Sequence, residues 1–158
     1  MHEQSICLTS VKGDITALPF ADERFDVASS EAAFQMIEDL EQALREVHRI
    51  LRDGGVFVFS VPHPIYEMFD TDTGTIDGDY FDTGPREITI DEEYDSNMIV
   101  FDRPIADLHT AFLDSGFEVQ RVIEHRRHEV EQNDPADSDL PELLWRVPQS
   151  VRFWTVAR

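Results

Sequence analysis

The sequence is poor in bases. Thirty-three acids stand against thirteen bases, a formal net charge of -20, and Lys12 is the only lysine. Phosphates reward clustered Lys and Arg, so this balance argues against DNA, RNA or an anionic membrane as a partner. Cysteine is nearly absent as well. Cys7 stands alone, which excludes an internal disulfide and a cysteine-built zinc site. It reads best as a small buried hydrophobe. No apolar run approaches the roughly 20 residues of a membrane-spanning helix. The polar opening MHEQS does not have the pattern of a signal peptide. The expectation is a cytoplasmic protein with no membrane or nucleic-acid partner. Glycine is also scarce, and the seven glycines nowhere form a G-x-G-x-G turn.

What is present is an ordinary apolar content in an extraordinary charge field. Apolar residues make up 41% of 158 residues, enough for one domain with a real core. Self-repulsion of this size weakens a compact state in dilute salt. Molar salt shortens the Debye length to about 3 Å and removes most of that cost. The acid-rich, lysine-poor composition therefore points to a halophilic protein; a merely acidic one is the alternative.

Periodicity supplies the elements. Ser5–Val11 and Phe25–Ser30 read as short strands, with the loop GDITALPFADER between them and Pro19 barring a continuous helix. Leu40, Ala43, Leu44, Val47, Ile50 and Leu51 recur at helical spacing. Asp39 is placed to cap that helix, with Gln42 three residues on as in a capping box, and Gly54-Gly55 to stop it. VFVFSV (Val56–Val61) is nearly unbroken apolar, as in a central strand buried on both faces. Strand, helix and strand in this order make a right-handed parallel unit. Residues 65–101 form a long Asp-, Gly- and aromatic-rich excursion, in which REITI and NMIVF can pair as a hairpin. Segments of this length inside a compact domain are usually lids or binding segments. Ile105, Leu108, Phe112 and Leu113 share a face of a second helix ended by Gly116. Strands follow at EVQRVIEH and SVRFWTVAR, separated by a polar stretch.

Taken together, GDITALPFADERFDVASS, then EDLEQALREVHRILRDGGVFVFSVPHP, then helix, strand, polar loop and strand, resemble the class I S-adenosylmethionine-dependent methyltransferases, in their broad small-molecule branch. The likeness covers nearly the whole chain. It implies an α/β fold: a partial Rossmann-like, doubly wound sheet with a C-terminal antiparallel strand pair and an inserted lid or hairpin segment. The cofactor implied is S-adenosyl-L-methionine, lying across the carboxyl ends of the strands. The resemblance places Asp14 at the adenine amino group and Ile15 against the adenine. Ser29 and Ser30 come beside the methionine part, and Gln35 stands where relatives often carry His. His63, in VPHP, would face the acceptor, a small molecule.

Each of these residues has a plainer alternative. Asp14 is also an ordinary turn-forming acid, and the two serines also simply end a strand. His63 is either a general base, since a free imidazole titrates near 6.5, or a loop histidine packed by prolines. Tyr66, Tyr80 and Phe81 either wall an acceptor pocket or pin the excursion to the core, pinning being preferred. His125 and His128 read as surface residues. The acidic run Asp91–Asp95 reads as a solvated face, lacking the glycine and spaced ligands of a calcium loop.

The resemblance also defines a departure. The family opens with a strand, a Gly-rich turn, a helix and a second strand ending in an acid that holds the ribose. The chain matches only the part after them, so a single N-terminally truncated domain over 1–158 is expected. The fourth strand of the family order would then carry an open apolar edge, a template for association. A homodimer or an N-terminal fragment would complete the sheet. Three functions follow: a methyltransferase acting on a small molecule and impaired as the isolated chain, a non-catalytic relative binding through its open edge, or another nucleotide binder on a similar fold.

Overall fold

The computed structural model describes residues 9–91, 94–126 and 140–158. Cys7, most of the first expected strand (5–8), His128 and the side chains of the acidic run 91–95 lie outside the described residues. The described elements are β1 (Phe25–Glu31), α1 (Leu40–Ile50), β2 (Leu51–Pro62), β3 (Pro85–Asp91), β4 (Tyr94–Phe101), α2 (Ile105–Asp114), β5 (Phe117–Arg126) and β6 (Pro148–Ala157).

Four strands form one sheet in the order β1-β2-β6-β5. β1 and β2 pair in parallel through the crossover helix α1, and β6 runs antiparallel to both β2 and β5. This is the mixed α/β architecture expected. β3 and β4 make a separate antiparallel hairpin, with Ile88 opposite Met98. Residues 9–11, the end of the first expected strand, are irregular and exposed.

The core sits on one face of the sheet. Leu44 and Val47 of α1, Phe112 of α2 and Phe57, Phe59 and Phe153 of the strands form one buried cluster. Its aromatic rings pack edge to face, Phe59 and Phe112 at 5.2 Å. Such pairs add about 0.5–1.5 kcal/mol beyond burial alone. Both described helices belong to this one layer, so among the described residues the doubly wound pattern is half present. Val56 and Val58, which alternate with the buried phenylalanines, are only half-buried. The expectation that β2 is buried on both faces is corrected to one face.

Three local expectations also change. Leu113 is 51% exposed, whereas Ala111 joins Leu108 and Phe112 in the core. α1 ends at Ile50, and the chain is already pairing at Leu51. Gly54, at φ 76°, therefore lies within β2, at the irregularity between the Leu51 and Val56 pairings, rather than stopping the helix. His125 is half-buried on β5 opposite Ser150 rather than on the surface. Gly116 does end α2, at φ 88°, and a Cβ there would come within 2.9 Å of the His48 ring.

Candidate active site at the carboxyl ends of β1 and β2

The loop before β1 is short of backbone pairing and is held by side chains of α1. Asp39 caps that helix by accepting from the Gln42 N–H at 3.0 Å. The second half of a capping box does not form, because the Gln42 amide reaches away and donates to the Thr16 carbonyl. One turn on, Glu46 accepts the Leu18 N–H at 2.8 Å. Arg49 then donates to the Leu18 and Phe20 carbonyls and to Asp22, while a two-point bond to Glu46 fixes its guanidinium. Residues 42, 46 and 49 share one helical stripe. That stripe positions the whole 14–22 segment.

Asp14 stands at the head of this segment, exposed. Its Oδ1 accepts both the N–H and the hydroxyl of Thr16, at 2.8 and 2.7 Å. These bonds hold its carboxyl below the usual range, so it stays an ionised acceptor with Oδ2 directed away from them. Ile15 is half-buried and packs on the core edge. Ser29 is exposed and Ser30 half-buried at the end of β1, opposite Val58 and Phe59.

Beyond β1 the chain makes a 3-10 turn at Phe34–Met36. Gln35 donates to the Ala32 carbonyl, and its Oε1 is buried without a partner among the described residues. With Pro62 and Pro64 at the end of β2, Gln35 lines a narrow cavity of about 20 Å³ floored by Phe34, Phe59 and Leu108. Arg103, which no motif marks, also lines this cavity. Arg103 donates to the Ile37 and Glu38 carbonyls at 2.6 and 2.9 Å and lies over the Phe101 ring. Burial pushes its guanidinium down from the ordinary arginine value. It also borders an adjoining cleft of about 440 Å³ with Asp39, Thr83 and Asp107. A lone arginine before Pro104 carries no spacing signal, so only the folded chain exposes its role.

His63 is 3% exposed. Its Nδ1 accepts the Ile65 N–H at 3.1 Å, which puts the ring proton on Nε2, 2.9 Å from a Glu124 oxygen. Both ring nitrogens are therefore engaged within the chain, and they tie the end of β2 to β5. Tyr66 is buried. The hydroxyl of Tyr80 accepts the first N–H of α2, and Phe81, 79% exposed, stacks edge-on against the Tyr80 ring. Tyr80, Arg86 and Asp102 border a further cleft of about 360 Å³. The structure thus gathers Gln35, Pro62 and Pro64 at one cavity, whose lining does not include His63. Asp14 and Ile15 sit on the neighbouring loop, and Phe81 stands apart.

A parallel β1-α1-β2 unit and two antiparallel strands closing the sheet agree with known proteins. A family model described as "Methyltransferase domain" matches residues 2–59. An S-adenosylmethionine-dependent methyltransferase from Mesorhizobium loti superposes with a TM-score of 0.71 at 28% identity, over 91% of this chain and 67% of that one. Residues 2–59 thus match a methyltransferase domain, and the fold is that of the class I S-adenosylmethionine-dependent methyltransferases. Another, from Methanosarcina mazei, shares the fold at a TM-score of 0.63 and 14% identity, over 92% of this chain and 65% of that one. In sequence, malonyl-[acyl-carrier protein] O-methyltransferase 1 of Coxiella burnetii is 50% identical over 33% of this chain and 18% of its own length. Demethylmenaquinone methyltransferase of Mycobacterium marinum is 42% identical over 44% of this chain and 30% of its own. The matched segments thus span 18% and 30% of these two curated relatives. The residues present fit one part of the family's cofactor: an ionised acceptor with a free oxygen at Asp14, an apolar neighbour at Ile15, and a polar strand end at Ser29 and Ser30.

Proposed function

We propose that the chain forms the adenine-facing and acceptor-facing part of an S-adenosylmethionine-dependent methyltransferase acting on a small molecule. The observation that carries this reading is the preorganised Asp14 carboxylate, held on a loop that α1 fixes beside the polar end of β1. Asp14 Oδ2 would accept from the adenine amino group, Ile15 would cover the ring, and Ser29 and Ser30 would flank the methionine end. The cofactor supplies a methyl group on a sulfonium, a donor that is already activated. What the protein must add is alignment, worth much of the acceleration when the reacting atoms are held in line. Gln35 and Arg103 shape the place where the acceptor would lie. His63 acts here as a positioning residue that anchors the VPHP turn; with both nitrogens occupied it holds geometry rather than removing a proton. The relatives that act on a malonyl thioester carrier and on a quinone precursor agree with a small organic acceptor, and residues 65–101, with the two clefts beside them, would select it. The acidic composition and the lone lysine favour a salt-rich intracellular setting.

The test is calorimetric titration of the chain with S-adenosylmethionine in molar KCl. Binding is expected, and Asp14→Ala should abolish it. Binding that is indifferent to Asp14→Ala would overturn the assignment of this loop.

A further inference from the structure

Two unmet polar groups border one small space at the carboxyl end of β2. Gln35 Oε1 is buried without a partner among the described residues. The amide is fixed in that sense because its Nε2 donates to the Ala32 carbonyl at 2.8 Å, so the orphan is an acceptor. Arg103 donates through Nη1 to the Phe101 carbonyl and through Nη2 to the Ile37 and Glu38 carbonyls. Its Nε–H has no partner among the described residues. No carboxylate among them pairs with Arg103 either, and Arg86 occupies the neighbouring Asp102. Gln35 and Arg103 both line the cavity of about 20 Å³, whose walls include Phe34, Phe59 and Leu108. That volume holds one water-sized group.

We infer that this cavity is a hydroxyl subsite, and that the acceptor is a neutral alcohol or phenol whose O–H donates to Gln35 while its oxygen accepts from Arg103. The inference rests on the reading of this region as the acceptor side of a methyltransferase. A hydroxyl donates and accepts through a single heavy atom. A carboxylate has no proton for the Gln35 oxygen, and it would enter beside Glu38, Asp39 and Asp107. An ammonium has no lone pair for Arg103 and is repelled by its charge. A carboxamide donates and accepts but is larger than one water-sized group. The body of the acceptor lies in the adjoining cleft of about 440 Å³, which shares Leu40, Phe101 and Arg103 with the cavity. That is a usual size for a small-ligand pocket. Leu40, Phe101 and Ala111 give the cleft an apolar wall, so a ring or short chain ending in a hydroxyl fits both spaces.

The test is an NMR titration of the chain with benzyl alcohol, benzoate and protonated benzylamine, which share a ring and differ in the polar group. Molar KCl keeps the net charge of -20 from favouring the cation. Benzyl alcohol should bind about tenfold more tightly than either ion and should shift the Gln35 side-chain amide and the Arg103 Nε resonance. Gln35→Leu, close in volume but without the acceptor, should weaken benzyl alcohol by about tenfold while the β2–β6 amides stay in place. The comparison of the three ligands needs no variant, so it stands even if Gln35→Leu does not fold. Equal or tighter binding of benzoate or benzylamine, no shift at Gln35 with any of the three, or benzyl alcohol binding indifferent to Gln35→Leu would each overturn the inference. S-adenosylmethionine is left out throughout, so failure here leaves the Asp14 titration standing, and failure of that titration leaves this one readable.

Discussion

Arg49 makes five hydrogen bonds, and three of its acceptors belong to a loop that the strands leave unsupported. Its partner Glu46 is held below the usual carboxylate range, chiefly by Arg49 itself, with the Leu18 N–H adding to the effect. Asp14 is lowered by the Thr16 N–H and hydroxyl. Both folded values lie below the unfolded ones, so the support they give is complete above about pH 5 and is lost as pH falls through the depressed values. The 14–22 loop should therefore loosen in acid before the sheet does. Amide NMR is the measurement: Thr16 and Leu18 should shift and lose exchange protection below about pH 4 while the β2–β6 amides hold, and simultaneous loss would refute it. His63 gives a second prediction at this scale. Removing its buried ring leaves the part-buried Ile65 N–H unpaired, which costs about 1–3 kcal/mol. His63→Ala should lower unfolding free energy by that amount in urea. Glu124→Gln, which keeps an oxygen for the Nε2 proton, should lower it by much less.

At the scale of elements, α2 is the piece that joins the hairpin, the sheet and α1. Phe112 is fully buried against Phe57, Phe59 and Phe153. Phe112→Ala should cost about 3–5 kcal/mol, read as a lower denaturation midpoint with unchanged slope. A loss below about 1 kcal/mol would mean that the aromatic cluster collapses around the gap. This element also marks what a sequence can and cannot disclose. β1, β2, β5, β6, both helices and the hairpin are legible in the sequence because apolar spacing at 2.0 or 3.6 residues is a local property, whereas the strand expected at Ser5–Val11 is irregular over 9–11. Leu113 was misassigned because helical spacing alone does not say how wide the buried stripe is. The one-sided burial of β2 was hidden because its two faces are equally apolar in sequence. Among the site residues, Asp14 and His63 could be nominated from motif context, but their partners could not. Glu124 and Arg103 act through contacts between segments up to 66 residues apart, Thr16 through a local turn that the motif does not reveal, and the Gln42 amide serves the neighbouring loop rather than completing the cap.

For the molecule as a whole, charge decides the conditions under which everything else operates. Ion pairs in the described residues gather most of the arginines: Arg45, Arg49, Arg52, Arg86, Arg146, Arg152 and Arg158 each meet a carboxylate. That leaves a large surplus of acids with no base to meet. Pairs at the surface are worth about 0–1 kcal/mol each and weaken with salt, whereas the repulsion among surplus acids also weakens with salt and is summed over many more charges. The two effects oppose each other, and the surplus wins because 33 acids outnumber 13 bases. Screening should therefore stabilise the fold on balance. Thermal unfolding followed by circular dichroism should show the midpoint rising steadily from dilute buffer to molar KCl. The steepest rise should come below about 0.1 M, where the Debye length falls most quickly toward 10 Å. Sodium sulfate would raise the midpoint of most proteins through exclusion from the surface, so chloride is the discriminating salt. A midpoint that falls or stays level in chloride would show that the ion pairs, and not the surplus acids, govern stability.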